Sequence, residues 1–182
     1  MDHEDHVALI RDGVAPGVWA DLGSGGGAFT LALAGLLGPG GRIVSIDRDG
    51  SALRRQREAM AARFPDAAVD YRQADFTRAL ELPAMDGIVM ANSLHFVRRK
   101  EPMLAAVRGW LRPGGRLVLV EYDADRGNPW VPHPLSYQTW ERVAAANGFV
   151  ETRLVARRPS RYLGAIYSAL SLNPSALSLN PR

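Results

Sequence analysis

The sequence predicts an α/β protein built around a doubly wound, mostly parallel β-sheet. Runs rich in apolar and β-branched residues alternate with helical patterns, and short glycine-rich segments connect them. Such alternation returns each strand to a parallel neighbour and places helices on both faces of the sheet. The last two strand-like runs are separated only by "RRPS" at 157–160, which is too short for a parallel crossover, so they are expected to pair antiparallel.

The first part of the chain is predicted to supply five parallel strands with three helices between them. The strands are the runs at 17–23, 42–47, 68–75, 85–92 and 116–122, and the helices are those at 28–37, 51–63 and 102–110. The first helix should end at "GPGG" and the third at "LRPGG", because proline and glycine stop helices. A proline-rich loop at 123–135, a helix at 135–147 and two strands at 149–156 and 161–170 follow.

The C-terminus contains a tandem repeat, since "SALSLNP" occupies 168–174 and recurs letter for letter at 175–181. Solenoids need longer units and more copies, so the repeat is interpreted as a recent duplication rather than a functional array. The chain is accordingly divided into one domain at 1–168 and a tail at 169–182. The second copy is expected to be poorly ordered.

The composition is that of a single globular domain. The chain has 182 residues, of which 47% are hydrophobic and 23% are charged, and it is long enough to bury a core. It has no cysteine, which excludes disulfides and thiolate metal sites. Its acidic start, "MDHEDHVALI", is unlike a signal peptide, and no apolar run approaches the roughly 20 residues that span a bilayer. A cytoplasmic protein with no membrane partner is therefore expected.

The stretch "VWADLGSGGGAF" at 18–29 points to a cofactor. It places four glycines in five positions directly after a predicted strand, where doubly wound proteins bind their ligands. Gly23, Gly25 and Ala28 satisfy the G-x-G-x-x-G/A fingerprint of dinucleotide-binding proteins. The same letters also fit D-x-G-x-G-x-G, with Asp21 as the acid and Gly27 as the last glycine.

The charge of Asp21 favours the second interpretation. A dinucleotide places its pyrophosphate at the N-terminus of the following helix, where the helix dipole and free N–H groups attract an anion. A carboxylate at the end of the same strand would weaken that attraction, whereas it would stabilise an ammonium or sulfonium group. A cationic cofactor is therefore expected.

With this loop, the sequence resembles the class I S-adenosylmethionine-dependent methyltransferases over about 18–167. "ADLGSGGGAF" is similar to motif I of that family, "MDGIVMANSLH" to motif IV, and "LRPGGRLVLVEY" to the helix–turn–strand that follows. The resemblance implies a Rossmann-like sheet of seven strands in the order 3-2-1-4-5-7-6, with strand 7 antiparallel. It also implies S-adenosyl-L-methionine as cofactor and S-adenosyl-L-homocysteine as product.

The resemblance further implies roles for residues at the strand ends. Asp47 lies where the family binds both ribose hydroxyls, and Asp75 and Phe76 lie where it binds the adenine. The full set of implied cofactor-binding residues is Asp21, Gly23, Ser24, Gly25, Gly27, Asp47, Arg48, Asp75, Phe76 and Asn92. Each also has a structural interpretation, because glycines in such a turn can serve packing alone and Asp47 or Asp75 can cap the segment that follows.

The cofactor's methyl group is already activated, so positioning of the acceptor can supply most of the catalysis. A general base helps where the acceptor is a hydroxyl or an acidic carbon, and His95 in "ANSLH" is the first candidate. Of the fifth strand's last residues, Glu121 and Tyr122, one is expected to face the pocket; Tyr122, Trp130 and His133 are the candidate substrate contacts. His95 could instead line the pocket or cap a helix, and Trp130 could be a buried anchor of its loop.

Motif IV also bears on the acceptor. Enzymes that methylate exocyclic amino groups of bases or glutamine amides resemble N/D-P-P-Y/F there, whereas this chain has Asn-Ser-Leu-His at 92–95. The chain looks more like methyltransferases of small molecules, including quinone-type and natural-product acceptors. The segment 1–10 could form a short helix over the site; its His3 and His6 are expected to be solvated, and no metal is predicted.

Three alternatives stay open from the sequence. An NAD-dependent oxidoreductase would use the dinucleotide fingerprint and Asp47. A nucleic-acid methyltransferase would use the excess of arginine, since Lys100 is the one lysine among 22 basic residues; it needs a basic rim around the pocket, but the arginines are scattered, so nucleic acid is not the expected partner. A third alternative is a domain that binds the cofactor without turnover. The acceptor atom (O, N or C) and the choice between monomer and homodimer also stay open.

Overall fold

The computed structural model describes residues 1–160 and 162–175. Its strands are β1 (Val18–Leu22), β2 (Arg42–Asp47), β3 (Ala68–Gln73), β4 (Met85–Ala91), β5 (Leu111–Tyr122), β6 (Val150–Pro159) and β7 (Ala165–Leu172). Its α-helices are α1 (His3–Ile10), α2 (Ala28–Leu37), α3 (Gly50–Arg63), α4 (Lys100–Trp110) and α5 (Tyr137–Ala146). All seven strands form one sheet in the order β3-β2-β1-β4-β5-β7-β6.

The strand pairing confirms the predicted topology. β1 pairs in parallel with β2 and β4, and β3 and β5 continue the parallel part on either side. β7 pairs antiparallel with both β5 and β6. The chain reverses its direction of winding between β1 and β4, so the loops after these two strands leave a crevice at the carboxyl ends of the sheet.

The predicted elements agree with the structure apart from their boundaries. The helix at 28–37 and the strand at 42–47 have the predicted bounds. β5 begins at Leu111 rather than Arg116, because Met85 of β4 pairs with Leu111 and Gly87 then pairs with Arg116. The intervening "RPGG" bulges out of the ladder of paired residues. In the sequence, this bulge inside β5 therefore looks like a turn between the end of a helix and the start of a strand.

The predicted domain boundary after residue 168 is wrong, because β7 continues through the first repeat to Leu172. β7 lies between two paired strands, and residues 166–171 are buried. The side-chain amide of Asn173 then donates hydrogen bonds to the carbonyl oxygens of Leu111 (2.9 Å) and Arg112 (3.1 Å). The first copy therefore belongs to the fold, while residues 176–181 of the second copy, and residue 182 after it, lie outside the described residues.

Helices on both faces of the sheet enclose two apolar clusters. On one face, Trp19 of β1 and Leu33 of α2 are fully buried together with residues of α1. On the other face, α4 and α5 contribute Leu104 and Trp140. Close packing on both faces holds the strands rigidly and so fixes the positions of the loops that follow them. In the part of the chain that the structure describes, no helix is long and apolar enough to cross a membrane.

Candidate active site

The glycine loop after β1 (residues 23–27) has a shape that requires glycine. Gly23, Gly25 and Gly27 have φ values of +79°, +52° and +87°, which side chains disfavour. A Cβ atom on Gly27 would lie 2.3 Å from Cγ of Gln56, and one on Gly23 would lie 2.6 Å from Cβ of Ser93. The loop is thus closely packed from behind, and a ligand beside it would meet mainly backbone.

Hydrogen bonds anchor this loop to β2. The amides of Gly23 and Ser24 donate to one carbonyl oxygen of β2 at 2.8 and 3.0 Å, and the amide of Gly25 donates to Oδ2 of Asp47 at 2.7 Å. The other oxygen of Asp47 accepts from the amide of Asp49 at 2.8 Å. Asp47 therefore organises the glycine loop as well as lining the cleft beside it.

Asp21 lies beneath the glycine loop and not at its entrance. Its side chain is 1% exposed, and its Oδ2 accepts a hydrogen bond from the hydroxyl of Thr30 at 2.6 Å. Burial raises the pKa of Asp21 to about 7, against the opposing effect of the Thr30 hydrogen bond and with a smaller contribution from the charge of Asp47. The sequence predicted a full charge beside the loop, where a cofactor would meet it, but the structure places behind the loop a carboxyl whose pKa is about 7.

A cleft of about 500 Å³, here called the acidic cleft, lies at the carboxyl ends of the parallel strands. It is lined by Gly23, Asp47, Arg48, Asp49, Ala74, Asp75, Phe76, Thr77, Asn92, Ser93 and Phe96. Six of the residues that the resemblance implies as cofactor-binding therefore meet in one space. The cleft offers two carboxylates at successive strand ends and one flat apolar wall, which suit hydroxyl groups and an aromatic ring.

Asp75 has hydrogen-bond partners within its own turn. Its Oδ1 accepts from the hydroxyl of Thr77 at 2.6 Å and from the amide of Thr77 at 2.9 Å. These two bonds, the hydroxyl first, lower the pKa of Asp75, so the carboxylate stays ionised at neutral pH. Its Oδ2 lies 3.6 Å from Nε of Arg78. Asp75 thus does cap the turn that follows β3, as the structural interpretation expected.

Asn92 stands where the acidic cleft meets its neighbours. Its φ of +51° is uncommon for a residue other than glycine. Its Oδ1 is buried without a hydrogen-bond partner in the described part of the chain, and the hydroxyl of the adjacent Ser93 is likewise unpaired. Buried polar atoms normally have partners, so these two atoms are exceptions, and they belong to residues that line the acidic cleft.

A second cleft of about 490 Å³, here called the aromatic cleft, opens beside the acidic cleft. It is lined by Asn92, His95, Phe96, Tyr122, Asn128, Trp130, Val131 and Tyr162. Asn92 and Phe96 line both clefts, so the two spaces meet at these residues. Among the residues that the structure describes, this lining contains no aspartate, glutamate, lysine or arginine, and His95 is its one histidine.

Glu121 holds His95 at the inner wall of the aromatic cleft. Nδ1 of His95 lies 2.9 Å from Oε1 and 3.0 Å from Oε2 of Glu121, and the amide of His95 donates to Oε2 at 3.1 Å. The buried Glu121 also accepts from the amide of Tyr122 at 2.8 Å. A carboxylate that accepts from Nδ1–H selects the tautomer in which Nε2 keeps a free lone pair. Of the two residues that end β5, Tyr122 lines the cleft and Glu121 lies behind the histidine.

Three aromatic side chains at the mouth of this cleft are exposed: Phe96 by 61%, Trp130 by 79% and Tyr162 by 80%. Trp130 is therefore not a buried anchor of the proline-rich loop, where Val131 and Leu135 are buried instead. Sequence reasoning missed Tyr162, because nothing in the sequence indicates that the tip of the last hairpin reaches the loops after β4 and β5.

His133 is not among the residues that line either cleft, and its side chain is exposed. Its amide donates to the carbonyl oxygen of His95 at 3.1 Å, and its own carbonyl oxygen accepts from Nζ of Lys100 at 3.0 Å. Burial lowers the pKa of Lys100, while the charge of Glu121 acts in the opposite direction. The backbone of His133 thus fastens the proline-rich loop to the segment of His95, and the expected side-chain contact with substrate has no support here.

A third cleft, here called the N-terminal cleft, lies between the glycine loop and the start of α1. Asp2, His3 and His6 border it, so segment 1–10 does form a short helix beside the loop. His6 is only partly solvated: it makes an edge contact with Phe29 at 4.9 Å between ring centroids, and burial lowers its pKa. Among the described residues, no group of three or more His, Cys, Asp or Glu could hold a metal ion.

Known proteins with similar sequences are methyltransferases. The sequence model of a family described as "Methyltransferase domain" matches residues 20–117. The ubiquinone/menaquinone biosynthesis C-methyltransferase UbiE of Pasteurella multocida is 34% identical over 104 residues, which make up 56% of this chain and 38% of that protein. UbiE of Ectopseudomonas mendocina is 34% identical over 122 residues, or 64% of this chain and 46% of that protein. The chain spans less than half the length of these two relatives.

Solved structures share the fold at low sequence identity. The YcgJ protein from Bacillus subtilis has a TM-score of 0.76 at 14% identity, over 96% of this chain and 100% of that chain. The CurJ carbon methyltransferase has a TM-score of 0.72 at 20% identity, over 88% and 49% of the two chains. The N-terminal domain of EvdMO1, solved with SAH bound, has a TM-score of 0.71 at 21% identity, over 94% and 81%. At these identities the likeness shows the fold alone.

Proposed function

Because this chain belongs to the methyltransferase-domain family, we propose that it transfers the methyl group of S-adenosyl-L-methionine to a small-molecule acceptor. The observation that carries the proposal is the junction of the acidic and aromatic clefts at Asn92 and Phe96. A cofactor in the acidic cleft and an acceptor in the aromatic cleft would meet there. Methyl transfer depends mainly on such alignment of the two reactants.

The chemistry of the acidic cleft suits this cofactor. Asp47 would accept hydrogen bonds from the ribose hydroxyls, Asp75 would accept from the adenine amino group, and Phe76 would pack against the ring. The bound cofactor supplies an activated methyl group, and the protein binds it, orients it and excludes water.

His95 is the general base in this proposal. Glu121 holds its Nδ1, which leaves Nε2 to accept a proton from the acceptor in the aromatic cleft. The buried carboxylate of Glu121 stabilises the imidazolium that forms, because opposite charges attract strongly where water is excluded. The histidine therefore gains its orientation from one buried neighbour.

The aromatic cleft favours a planar, uncharged acceptor. Its aromatic walls are Phe96, Tyr122, Trp130 and Tyr162, and among the described residues no arginine or lysine lines it to bind a phosphate or a carboxylate. Aromatic side chains bind flat apolar rings through stacked or edge-on contacts. The names of the UbiE relatives refer to ubiquinone and menaquinone biosynthesis, and a quinone-type acceptor has this planar shape.

The two rival functions have weaker support. The position of Asp21 beneath the loop removes one argument against a dinucleotide, but the family match favours the sulfonium cofactor. A nucleic-acid substrate would need a basic rim, whereas Arg48 is the one arginine, within the described ranges 1–160 and 162–175, that lines either the acidic or the aromatic cleft.

Calorimetric titration of the full chain with S-adenosylmethionine, S-adenosylhomocysteine and NAD tests the proposal. We expect micromolar binding of both sulfur compounds, lost in Asp47→Ala and kept in the matched control Asp66→Ala, whose side chain is exposed and remote from these clefts. Binding of NAD alone would replace the proposal with the oxidoreductase, and binding of none of the three would contradict it.

A further inference from the structure

A continuous chain of polar side chains runs beneath the glycine loop. The Thr30 hydroxyl lies 2.6 Å from Oδ2 of Asp21, and Nε2 of Gln56 lies 2.5 Å from the Thr30 hydroxyl. Oγ of Ser45 lies 2.8 Å from Oε1 of Gln56 and 2.8 Å from Oγ of Ser24. All of these side chains are buried except that of Ser24, which is partly buried and lines the N-terminal cleft.

While Asp21 is ionised, the hydrogen bonds along these polar side chains can point in one direction only, toward Asp21. A carboxylate only accepts, so the hydroxyl of Thr30 donates to Asp21 and itself accepts from the amide of Gln56. The amide oxygen of Gln56 also only accepts, so Ser45 donates its one proton to that oxygen. Ser45 must then accept from Ser24. The hydroxyl proton of Ser24 points inward, and its lone pairs are left for the N-terminal cleft.

Protonation of Asp21 permits the opposite direction. The carboxyl becomes a donor to the hydroxyl of Thr30. The terminal amide of Gln56, after a half-turn about its last bond, accepts from Thr30 and donates to Ser45. Ser45 then donates to Ser24, whose own proton is free to point toward the cleft. The heavy atoms keep their positions, since an amide oxygen and nitrogen are nearly equal in size.

We propose that Gln56 is a positioning residue for the cofactor, because it couples the ionisation of Asp21 to the direction in which Ser24 presents its hydroxyl. The inference rests on the proposed function only in naming the cofactor as the ligand. Gly23 and Asn92 line both the acidic cleft and the N-terminal cleft, so a cofactor in the acidic cleft could extend past them to Ser24. With Asp21 ionised, Ser24 offers an acceptor to the ammonium group of that cofactor; with Asp21 neutral, it offers a donor. The carboxyl that precedes the loop thus acts on the ligand through four hydrogen bonds and not by contact.

Other titratable groups also face this loop. A substitution at Gln56 distinguishes their effects on a bound ligand from the effect of Asp21. They are Asp2, His3 and His6 at the start of the chain, Arg63 of α3, and Asp47 after β2. Their charges would act on a ligand directly, whatever side chain occupies position 56. The effect of Asp21 on the direction of the Ser24 hydroxyl requires an intact polar chain, and burial raises the pKa of Asp21 to about 7, within reach of an ordinary pH titration.

The first test needs no ligand. The amide resonance of Ser24 is followed by NMR in the ¹⁵N-labelled full chain from about pH 5 to about pH 9. We expect a titration with its midpoint near 7 in the wild type, which disappears in Asp21→Asn, Gln56→Met and Ser45→Ala. The matched control is Gln138→Met on the exposed face of α5, which should keep the titration. Thermal unfolding identifies variants that fold, and Ser45→Ala replaces Gln56→Met if the latter does not.

The second test measures the affinity for S-adenosylhomocysteine over the same pH range. In the wild type the affinity should rise roughly 2- to 10-fold as Asp21 ionises, the effect of one hydrogen bond, and this rise should be absent in folded Gln56→Met. A flat Ser24 titration in the wild type, or a titration that persists in folded Gln56→Met, would overturn the inference. If Ser24 titrates as expected but the ligand does not bind, the polar chain is supported and the proposed function is the part that fails.

Discussion

Nδ1 of His95 and the carboxylate oxygens of Glu121 lie 2.9 and 3.0 Å apart, and both side chains are buried. The two residues follow or end neighbouring parallel strands, β4 and β5. Pairing in the sheet therefore brings together a base and the group that orients it, although 26 positions separate them in the chain.

Substitution of this pair should slow methyl transfer without weakening cofactor binding. We expect His95→Gln to lower kcat about 100- to 10,000-fold, the usual contribution of a general base, and Glu121→Gln to lower it by about tenfold or more, because the imidazolium loses its counter-charge. Single-turnover assays with a labelled methyl group measure both. His133→Gln is the matched histidine control and should stay within roughly twofold of the wild type. An unchanged rate in His95→Gln would remove the histidine from the mechanism.

The glycine loop provides a matched pair of stability variants. Gly27→Ala should lower the free energy of unfolding by about 1–3 kcal/mol, because its φ is +87° and the new Cβ would lie 2.3 Å from Gln56. Gly26→Ala should change it by less than about 0.5 kcal/mol, since nothing lies within 4 Å of its Cβ position. Urea unfolding compares the two, and equal losses would mean that packing against Gln56 does not restrict the loop.

The buried carboxyl of Asp21 should make the protein less stable as the pH rises. Burial raises its pKa from 3.8 to about 7, so between these values the folded state holds a proton that the unfolded chain has released. The free energy of unfolding therefore falls between about pH 4 and about pH 7, by on the order of 4 kcal/mol in total.

Asp21→Asn keeps an acceptor for Thr30 and should lack this dependence. Urea unfolding at several pH values measures the two slopes, and the comparison cancels the contributions of all other titratable groups. Parallel slopes for the wild type and the variant would show that Asp21 does not hold a proton in the folded state.

Loss of the exposed aromatic side chains should weaken binding of the acceptor and leave binding of the cofactor unchanged. Trp130→Ala and Tyr162→Ala should each raise KM for the acceptor about 5- to 30-fold, since a stacked aromatic contact is worth about 1–2 kcal/mol. The affinity for S-adenosylhomocysteine and the melting temperature should stay unchanged, because both side chains are about four-fifths exposed. Leu154→Ala, on the exposed side of β6, is the control for loss of an exposed apolar side chain.

Much of the fold follows from local patterns in the sequence. The alternation of apolar runs, helical runs and glycine turns predicted the sheet, and the short link at 157–160 predicted the antiparallel hairpin. The limits of β5 and β7 could not be read in this way. β5 contains a bulge that looks like a turn, and β7 continues into a repeat whose serines look solvent-facing but are buried between two strands.

The candidate site was predictable where it depends on strand ends and not where it depends on long-range packing. Asp47 ends its strand, Asp75 and Asn92 follow theirs within two residues, and the parallel sheet gathers all three in one cleft. Gln56 escaped notice, because an amide in a charged helix looks solvent-exposed, and only the fold of α3 against the glycine loop buries it. The buried position of Asp21 was also missed, because it too depends on long-range packing that the local sequence does not show.

Because of the repeat, β7 stays complete when a deletion removes one of the two seven-residue units. β7 and its anchor Asn173 take their residues from the copy at 168–174, and the copy at 175–181 has identical letters. Deletion of either unit therefore yields the same shortened polypeptide, in which β7 and the asparagine are complete. Slippage that removes one unit during replication is thus silent for the sheet, whereas loss of the second unit as well would remove the end of a strand that pairs on both sides.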